Sequence, residues 1–146
     1  MLASTHALVG AVIGISSKNN TQAVTYGVAS HFILDSIPHW GGVGSYETFL
    51  KVAVPDGLTV LALTALVYKK TPSHIRNRTL LGLVGAVFPD LDKPSVLFFK
   101  RNPFPKKIQK FHESIQTEKP ILVVVDTTFF IISGVLLYSI LKKNVQ

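Results

Sequence analysis

Long apolar runs without period-two alternation are the feature that most restricts the fold of this chain. The longest extend from Phe49 to Tyr68 and from Pro120 to Leu141, and the second contains one charged residue, Asp126. About 20 apolar residues suffice for a helix to cross a bilayer. Small residues recur at spacings typical of close helix packing: Ala11, Gly14, Gly82, Gly85 and Ala86. The sequence therefore predicts an all-α fold, a compact bundle of about five to six apolar helices embedded in or associated with a membrane.

The length of 146 residues fits a single domain, 1–146, because two halves would struggle to bury separate cores. One apolar pentapeptide, LVGAV, occurs twice, at Leu8–Val12 and at Leu83–Val87. Other short matches follow in the same order along the chain. We therefore hypothesise an internal duplication with half-repeats 1–70 and 71–146.

The net charge of +7 raises the question of nucleic-acid binding. Most of the fifteen basic residues, however, lie in three short stretches that flank apolar runs: Lys69 to Arg78, Lys100 to Lys110, and Lys142 to Lys143. This placement suits anionic lipid head groups, or an anionic small-molecule or lipid substrate, better than a groove in duplex DNA. We expect membrane lipid and such a substrate as partners, no nucleic acid, and a membrane location. The alternative is a set of loops that only increases solubility. The sequence does not define the oligomeric state.

The acidic residues divide unevenly between apolar and polar segments. A carboxylate inside an apolar helix is costly unless it is paired, hydrogen-bonded or bound to a cation. The chain has no cysteine, so a metal site must use imidazole and carboxylate ligands. The glutamates lie in polar connections, whereas all the aspartates lie inside or at the edge of apolar runs: Asp35, Asp56, Asp90, Asp92 and Asp126. Each aspartate therefore needs a partner, and histidines are the candidates.

The segment 30–40, SHFILDSIPHW, holds the most specific arrangement of such residues. His31 and Asp35 are four residues apart, so on a helix they share a face with Cβ atoms about 5–6 Å apart and can ligate one metal. His39 follows Pro38, which is expected to end the helix, and so lies at its rim, where a ring can move a proton. The alternative is a buried His–Asp hydrogen bond within a core.

Three further segments add candidates to this pair. His6 lies near the start of the first helix, and His112 lies in the basic amphipathic segment 104–116. Asp90 and Asp92 follow directly after an apolar run. Taken singly, each has an ordinary explanation, as a surface or capping histidine or as a helix stop with an Asx turn. Together, in segments poor in charge, they favour one shared cluster.

These motifs resemble those of small membrane-associated proteins described as metal-dependent hydrolases. The resemblance lies in SHFILDSIPHW, in the spacing of His6 and Gly10, and in PDLD at 89–92, and it is more distant to the helical zinc-dependent phospholipase C group. This chain departs from the family at Lys93, where a histidine is often found, and lacks an HRGxTH stretch. The resemblance implies metal ligands at His6, His31, Asp35 and Asp90, with Asp56 and His112 as additions.

Mixed histidine and aspartate ligation suits a divalent metal, zinc first, with manganese or iron as alternatives. A metal-bound water of lowered pKa would then attack a phosphoester or ester, with His39 or Asp90 as the catalytic base. The rival interpretation is a non-catalytic helical membrane protein whose buried His/Asp cluster binds an ion, relays protons or fixes packing. A soluble helical binding protein is a third interpretation.

Overall fold

The computed structural model describes residues 1–42 and 45–145 and confirms the all-α fold. Short 3-10 turns at Phe88–Leu91 and Pro120–Leu122 precede the fifth and seventh helices. Within the described ranges there is no β-strand, and an isolated β-bridge joins His39 to Glu118. The α-helices are α1 (Ala3–Ser16), α2 (Asn20–Asp35), α3 (Tyr46–Lys70), α4 (Ser73–Val87), α5 (Asp92–Phe99), α6 (Lys106–Ile115) and α7 (Val123–Val145).

Helix α1 is the centre of the bundle and contacts α2, α3, α4 and α7. Its sequence is apolar around most of its circumference, and a helix of that kind needs neighbours on every face. A run of this length is too short to cross a bilayer and is typical of a buried core helix. The core combines side chains from α1 with others from α3, α4 and α7: Ala7, Leu8, Ala11, Ile15, Val67, Ile75, Leu83 and Leu137.

Glycines bring α4 into backbone contact with both α1 and α2. A Cβ atom built on Gly10 of α1, or on Gly27 of α2, would lie 2.5 Å from the carbonyl oxygen of Gly82 in α4. A Cβ on Gly85 would lie 2.7 Å from the carbonyl oxygen of Val24. Real Cβ contacts essentially never fall below 3.0 Å. The small residues singled out in the sequence therefore serve close helix packing.

Asp56, in the middle of α3, binds the start of α1. Its Oδ2 accepts a hydrogen bond from the N–H of Ala3 at 2.8 Å, and its Oδ1 accepts one from Ser4 at 3.2 Å. The first N–H groups of a helix have no partner within the helix and carry partial positive charge. The carboxylate of Asp56 thus satisfies two of these groups and holds α3 against α1.

Asp126 of α7 supports the same helix end and is fully buried. Its Oδ1 accepts from the N–H of Leu2 and its Oδ2 from the N–H of Trp40, both at 2.7 Å. We expect Asp126→Asn to lower the free energy of unfolding by about 1–3 kcal/mol, because an amide nitrogen cannot accept one of these two bonds. Chemical denaturation of the two proteins checks this. An exposed serine of α7 gives the matched control, since Ser139→Ala should leave stability unchanged. Equal stability of the two variants would contradict the capping role.

Helices α3 and α7 are long and apolar enough to cross a membrane. The segments that meet this requirement are Tyr46–Lys70 and Pro120–Lys143, and only 6% and 17% of their apolar windows are buried inside the protein. The first exposes Leu61 and the second exposes Ile121, among other large apolar side chains. Exposed apolar surface of this kind is typical of proteins that contact a membrane or another protein. Helix α1 is apolar but too short for this requirement.

Candidate metal centre

The carboxylate of Asp35, at the end of α2, is the centre of a buried cluster of imidazoles. Nε2 of His6 lies 3.0 Å from Oδ1. Around Oδ2 lie Nε2 of His112 at 2.8 Å, Nε2 of Gln116 at 2.7 Å and Nε2 of His31 at 3.3 Å. His31 reaches the carboxylate because a spacing of four places both side chains on one helix face. The other partners come from α1 and from the end of α6.

His31 is held in a definite tautomer. Its Nδ1 lies 2.8 Å from the carbonyl oxygen of Ala86, and a carbonyl oxygen only accepts, so Nδ1 carries the hydrogen. In a neutral ring, Nε2 then carries the lone pair and faces Asp35 and His112. Metal-binding histidines commonly donate their other ring N–H to a backbone carbonyl in this way. The interaction with α4 therefore fixes the orientation of the His31 ring.

Four side chains bring ligand atoms together in this cluster. One atom each from His31, Asp35, Asp90 and His112 lies within 4.8 Å of all the others, and all four residues are buried. Three of the atoms form a tighter triangle, with 3.0 Å between the Nε2 atoms of His31 and His112 and 3.3 and 2.8 Å from these atoms to Oδ2 of Asp35. Tetrahedral zinc with bonds of 2.0–2.1 Å separates its ligands by about 3.3 Å. The group could therefore hold a metal ion.

The protonation states in the cluster suit metal binding. Burial by itself would raise the pKa of Asp35, but its contacts with the surrounding histidines, that with His112 first, outweigh it and hold the pKa well below its usual range. Burial lowers the pKa of His6 to about 4 despite its bond to Asp35. Asp35 is thus ionised and His6 neutral at pH 7. Carboxylates and imidazoles bind metals in these deprotonated forms.

Asp90 reaches the cluster from the 3-10 turn after α4 and is paired with Lys93. Nζ of Lys93 lies 2.8 Å from Oδ1 of Asp90. Burial would raise the pKa of Asp90, but the charge of Lys93, followed by those of His6 and His31, lowers it below its usual range. Lys93 occupies the position at which the resembled family often has a histidine. Here it supplies an ammonium group that would compete with a metal ion for Asp90.

Two predicted ligands lie outside the four-residue group. His6 bonds to Asp35 and stacks on His31, with 4.1 Å between the ring centroids, so it supports the group from α1. The other residue is Asp56, whose two oxygens bind the N–H groups of Ala3 and Ser4. The partners of Asp56 are therefore backbone N–H groups, not the histidine that was expected.

His39, a predicted catalytic base, also lies outside the group. It is fully buried, and its Nδ1 donates to the carbonyl oxygen of Ile37 at 2.7 Å. Its Nε2 lies 3.8 Å from Oε1 of Glu118, and its backbone bonds to Thr117 and Lys119. His39 therefore joins the end of α2 to the segment before α7. Asp90, the other predicted base, lies within the group.

Three contacts of the cluster were not predicted from the sequence. Gln116 follows His112 by four residues and Lys93 follows Asp90 by three, so helical spacing could have indicated both. The amino nitrogen of Met1 lies 2.6 Å from Oδ1 of Asp35. This contact has no local sequence signal, because it depends on the packing of α1 against α2.

The ligand types of the centre restrict which metals it can hold. Histidine and aspartate in combination suit zinc, manganese or iron. No protein-family model, curated protein or solved structure matches this chain.

Proposed function

We propose that this chain is a membrane-associated metal-dependent hydrolase of phosphoesters or esters. The observation that carries the proposal is the convergence of His31, Asp35, Asp90 and His112 within a buried cluster. A divalent ion bound there, for which zinc is the leading candidate, would act as a Lewis acid and lower the pKa of the water bound to it. The resemblance of the segments 30–40 and 89–92 to membrane-associated hydrolases agrees with this function.

The residues of the centre have separable roles in this proposal. His31, His112 and Asp35 hold the ion, because their atoms are the most closely grouped, 2.8 to 3.3 Å apart. Ala86 orients His31 through its carbonyl oxygen, and Gln116 orients the Asp35 carboxylate. Such supporting contacts fix ligand geometry, and their loss typically costs about 10–100-fold in metal affinity or activity. Asp90 completes the group at its edge, and because its pairing with Lys93 lowers its pKa, it remains ionised and accepts a proton only weakly.

The membrane location rests on the surface of the bundle. Few residues of the apolar windows in α3 and α7 are buried inside the protein, and lipid would remove their exposed surface from water. Helix α6 adds a basic surface that carries Lys106, Lys107 and Lys110 beside exposed Ile108 and Phe111. Helices with these two faces bind at the interface of anionic membranes.

Metal content is the direct test of the proposed function. We expect the chain, purified without chelator or histidine tag, to contain about one equivalent or more of zinc, manganese or iron, and His31→Ala to lose it at least tenfold. Elemental mass spectrometry measures both. The matched control is His74→Ala, because His74 is exposed, and this variant should retain the metal. Equal metal in the two variants would show that His31 is not a ligand.

A second function, a structural polar network, is favoured by one specific observation. The amino group of Met1 compensates Asp35, Lys93 compensates Asp90, and a proton on Nε2 of His112 can be donated to Asp35 or to the lone pair of His31. The charges of the cluster are then balanced by the chain itself. In that case no metal is found in the wild-type chain, and removal of His31 destabilises the bundle instead.

A further inference from the structure

A long cleft beside Asp90 is not used by the metal centre itself. It lies between α3, α5 and the segment that follows α2, and its volume is about 840 Å³. Ligand sites typically span about 300–1,000 Å³. On α3 its lining extends from Tyr46 to Leu61, which corresponds to about 22 Å at a rise of 1.5 Å per residue. The cleft is thus elongated rather than round.

The walls of the cleft are mainly hydrophobic. Gly57 of α3 widens it, because a Cβ built there would meet no atom within 4 Å. Several of the lining side chains are largely exposed, so the chain itself does not cover them. The apolar lining includes Phe49, Val54, Leu58, Leu61, Leu97 and Phe98. An elongated apolar occupant would remove these side chains from water.

The cleft becomes polar where it meets the candidate metal centre. Asp90 and Lys93 lie in its wall, and Asp90 belongs to the four-residue group. Two further carboxylates of the lining, Asp56 and Glu118, are bonded to backbone N–H groups. On α5 the lining residues are Lys93, Pro94, Leu97 and Phe98, which form one helix face that leads from charged to apolar. A molecule along this face would place a polar group at the centre and an apolar tail away from it.

We propose that this cleft binds the hydrocarbon chain of a long-chain amphiphile whose ester or phosphoester group lies at Asp90 and Lys93. The placement of that group rests on the proposed function, whereas binding of the chain rests on the shape and lining of the cleft. Val54, Leu58 and Leu61 of α3 line the cleft and are also largely exposed, so the cleft is open on the side of α3 where membrane lipid would lie. The substrate class is therefore lipid rather than a free phosphoester.

Photolabelling in lipid nanodiscs tests this proposal without relying on activity. The probe is hexadecyl phosphate with a diazirine on its alkyl chain, added to the chain in phosphatidylcholine nanodiscs and mapped by mass spectrometry. We expect labelling at 53–61 and 97–98 to exceed several-fold that on the exposed face of α7. Unlabelled hexadecyl phosphate should compete, and inorganic phosphate should not. Uniform labelling of α3 and α7, or competition by phosphate alone, would overturn the proposal.

Two substitutions on α3 separate the cleft from general lipid contact. Gly57→Leu fills the cleft and should reduce cleft labelling at least fivefold. Ala62→Leu adds a side chain to the same helix at an exposed position outside the lining and should leave labelling unchanged. Equal labelling of both variants would overturn the proposal. In His31→Ala the cleft labelling should persist even where metal is lost, so failure of the metal centre and failure of the lipid site give different results.

Discussion

Replacing Asp35 by alanine is expected to lower the free energy of unfolding by about 3–5 kcal/mol, the range found when one member of a buried charged pair is removed. The carboxylate is paired with the buried amino group of Met1 and accepts bonds from His6, His112 and Gln116, and all of these donors would lose their acceptor. Chemical denaturation in the presence of chelator measures the contribution of the side chains alone. Asp35→Asn keeps the shape of the side chain and one of its oxygens, so it should lower the free energy of unfolding by less than Asp35→Ala does.

The control for this prediction is another acidic residue in a neighbouring helix. Glu113 of α6 is exposed and adjacent to His112, so Glu113→Ala should change stability by no more than about 0.5 kcal/mol. If Asp35→Ala proved as stable as Glu113→Ala, the buried cluster would contribute nothing to folding. The same pair of variants should also differ in metal content, because only Asp35 has a ligand atom in the four-residue group.

Gly82→Leu is expected to prevent folding of the bundle. A Cβ on Gly82 would lie 2.7 Å from the Cα and N atoms of Gly14 and would also clash with the carbonyl oxygen of Gly10. These are backbone atoms, which cannot rotate away as a flexible side chain can. The free energy of unfolding should therefore fall by at least the upper end of the range of about 1–3 kcal/mol that is typical of overpacked cores. Thermal unfolding followed by circular dichroism, together with yield, measures the effect.

The same substitution at Gly57 gives a matched control. A side chain there enters open space. Leucine also favours the helix over glycine by about 1 kcal/mol. Gly57→Leu should therefore fold at least as well as the wild-type chain. Similar thermal midpoints for the two leucine variants would show that α4 does not pack closely against α1.

Some of the candidate site could be predicted because its signals are local. The spacing of His31 and Asp35 determines a shared helix face wherever the helix lies. The absence of cysteine and the position of the aspartates in apolar segments pointed to a buried imidazole and carboxylate cluster. The four residues that converge, His31, Asp35, Asp90 and His112, were all among the predicted ligands. The duplication of the two halves stays a prediction.

Other parts of the site could not be predicted, because some side chains bond to backbone groups, which no residue type identifies in a sequence. Asp56 and Asp126 needed partners, as expected of aspartates in apolar helices, but the partners are backbone N–H groups at the start of α1. Every residue other than proline carries such a group, so no motif marks it. His39 likewise bonds through its ring to a carbonyl oxygen, and only the chain path places that oxygen beside it.

By itself, the sequence determined the helical class, the small residues at helix contacts and the pairing of His31 with Asp35, because each follows from composition or from the helical repeat. Only the tertiary structure decided which aspartates join the imidazoles and which cap α1. That choice depends on distances between residues far apart in the chain, such as Asp35 and His112, which come together because α6 packs against α2. The cleft arises in the same way, because α3 and α5 form its walls only once the bundle has assembled.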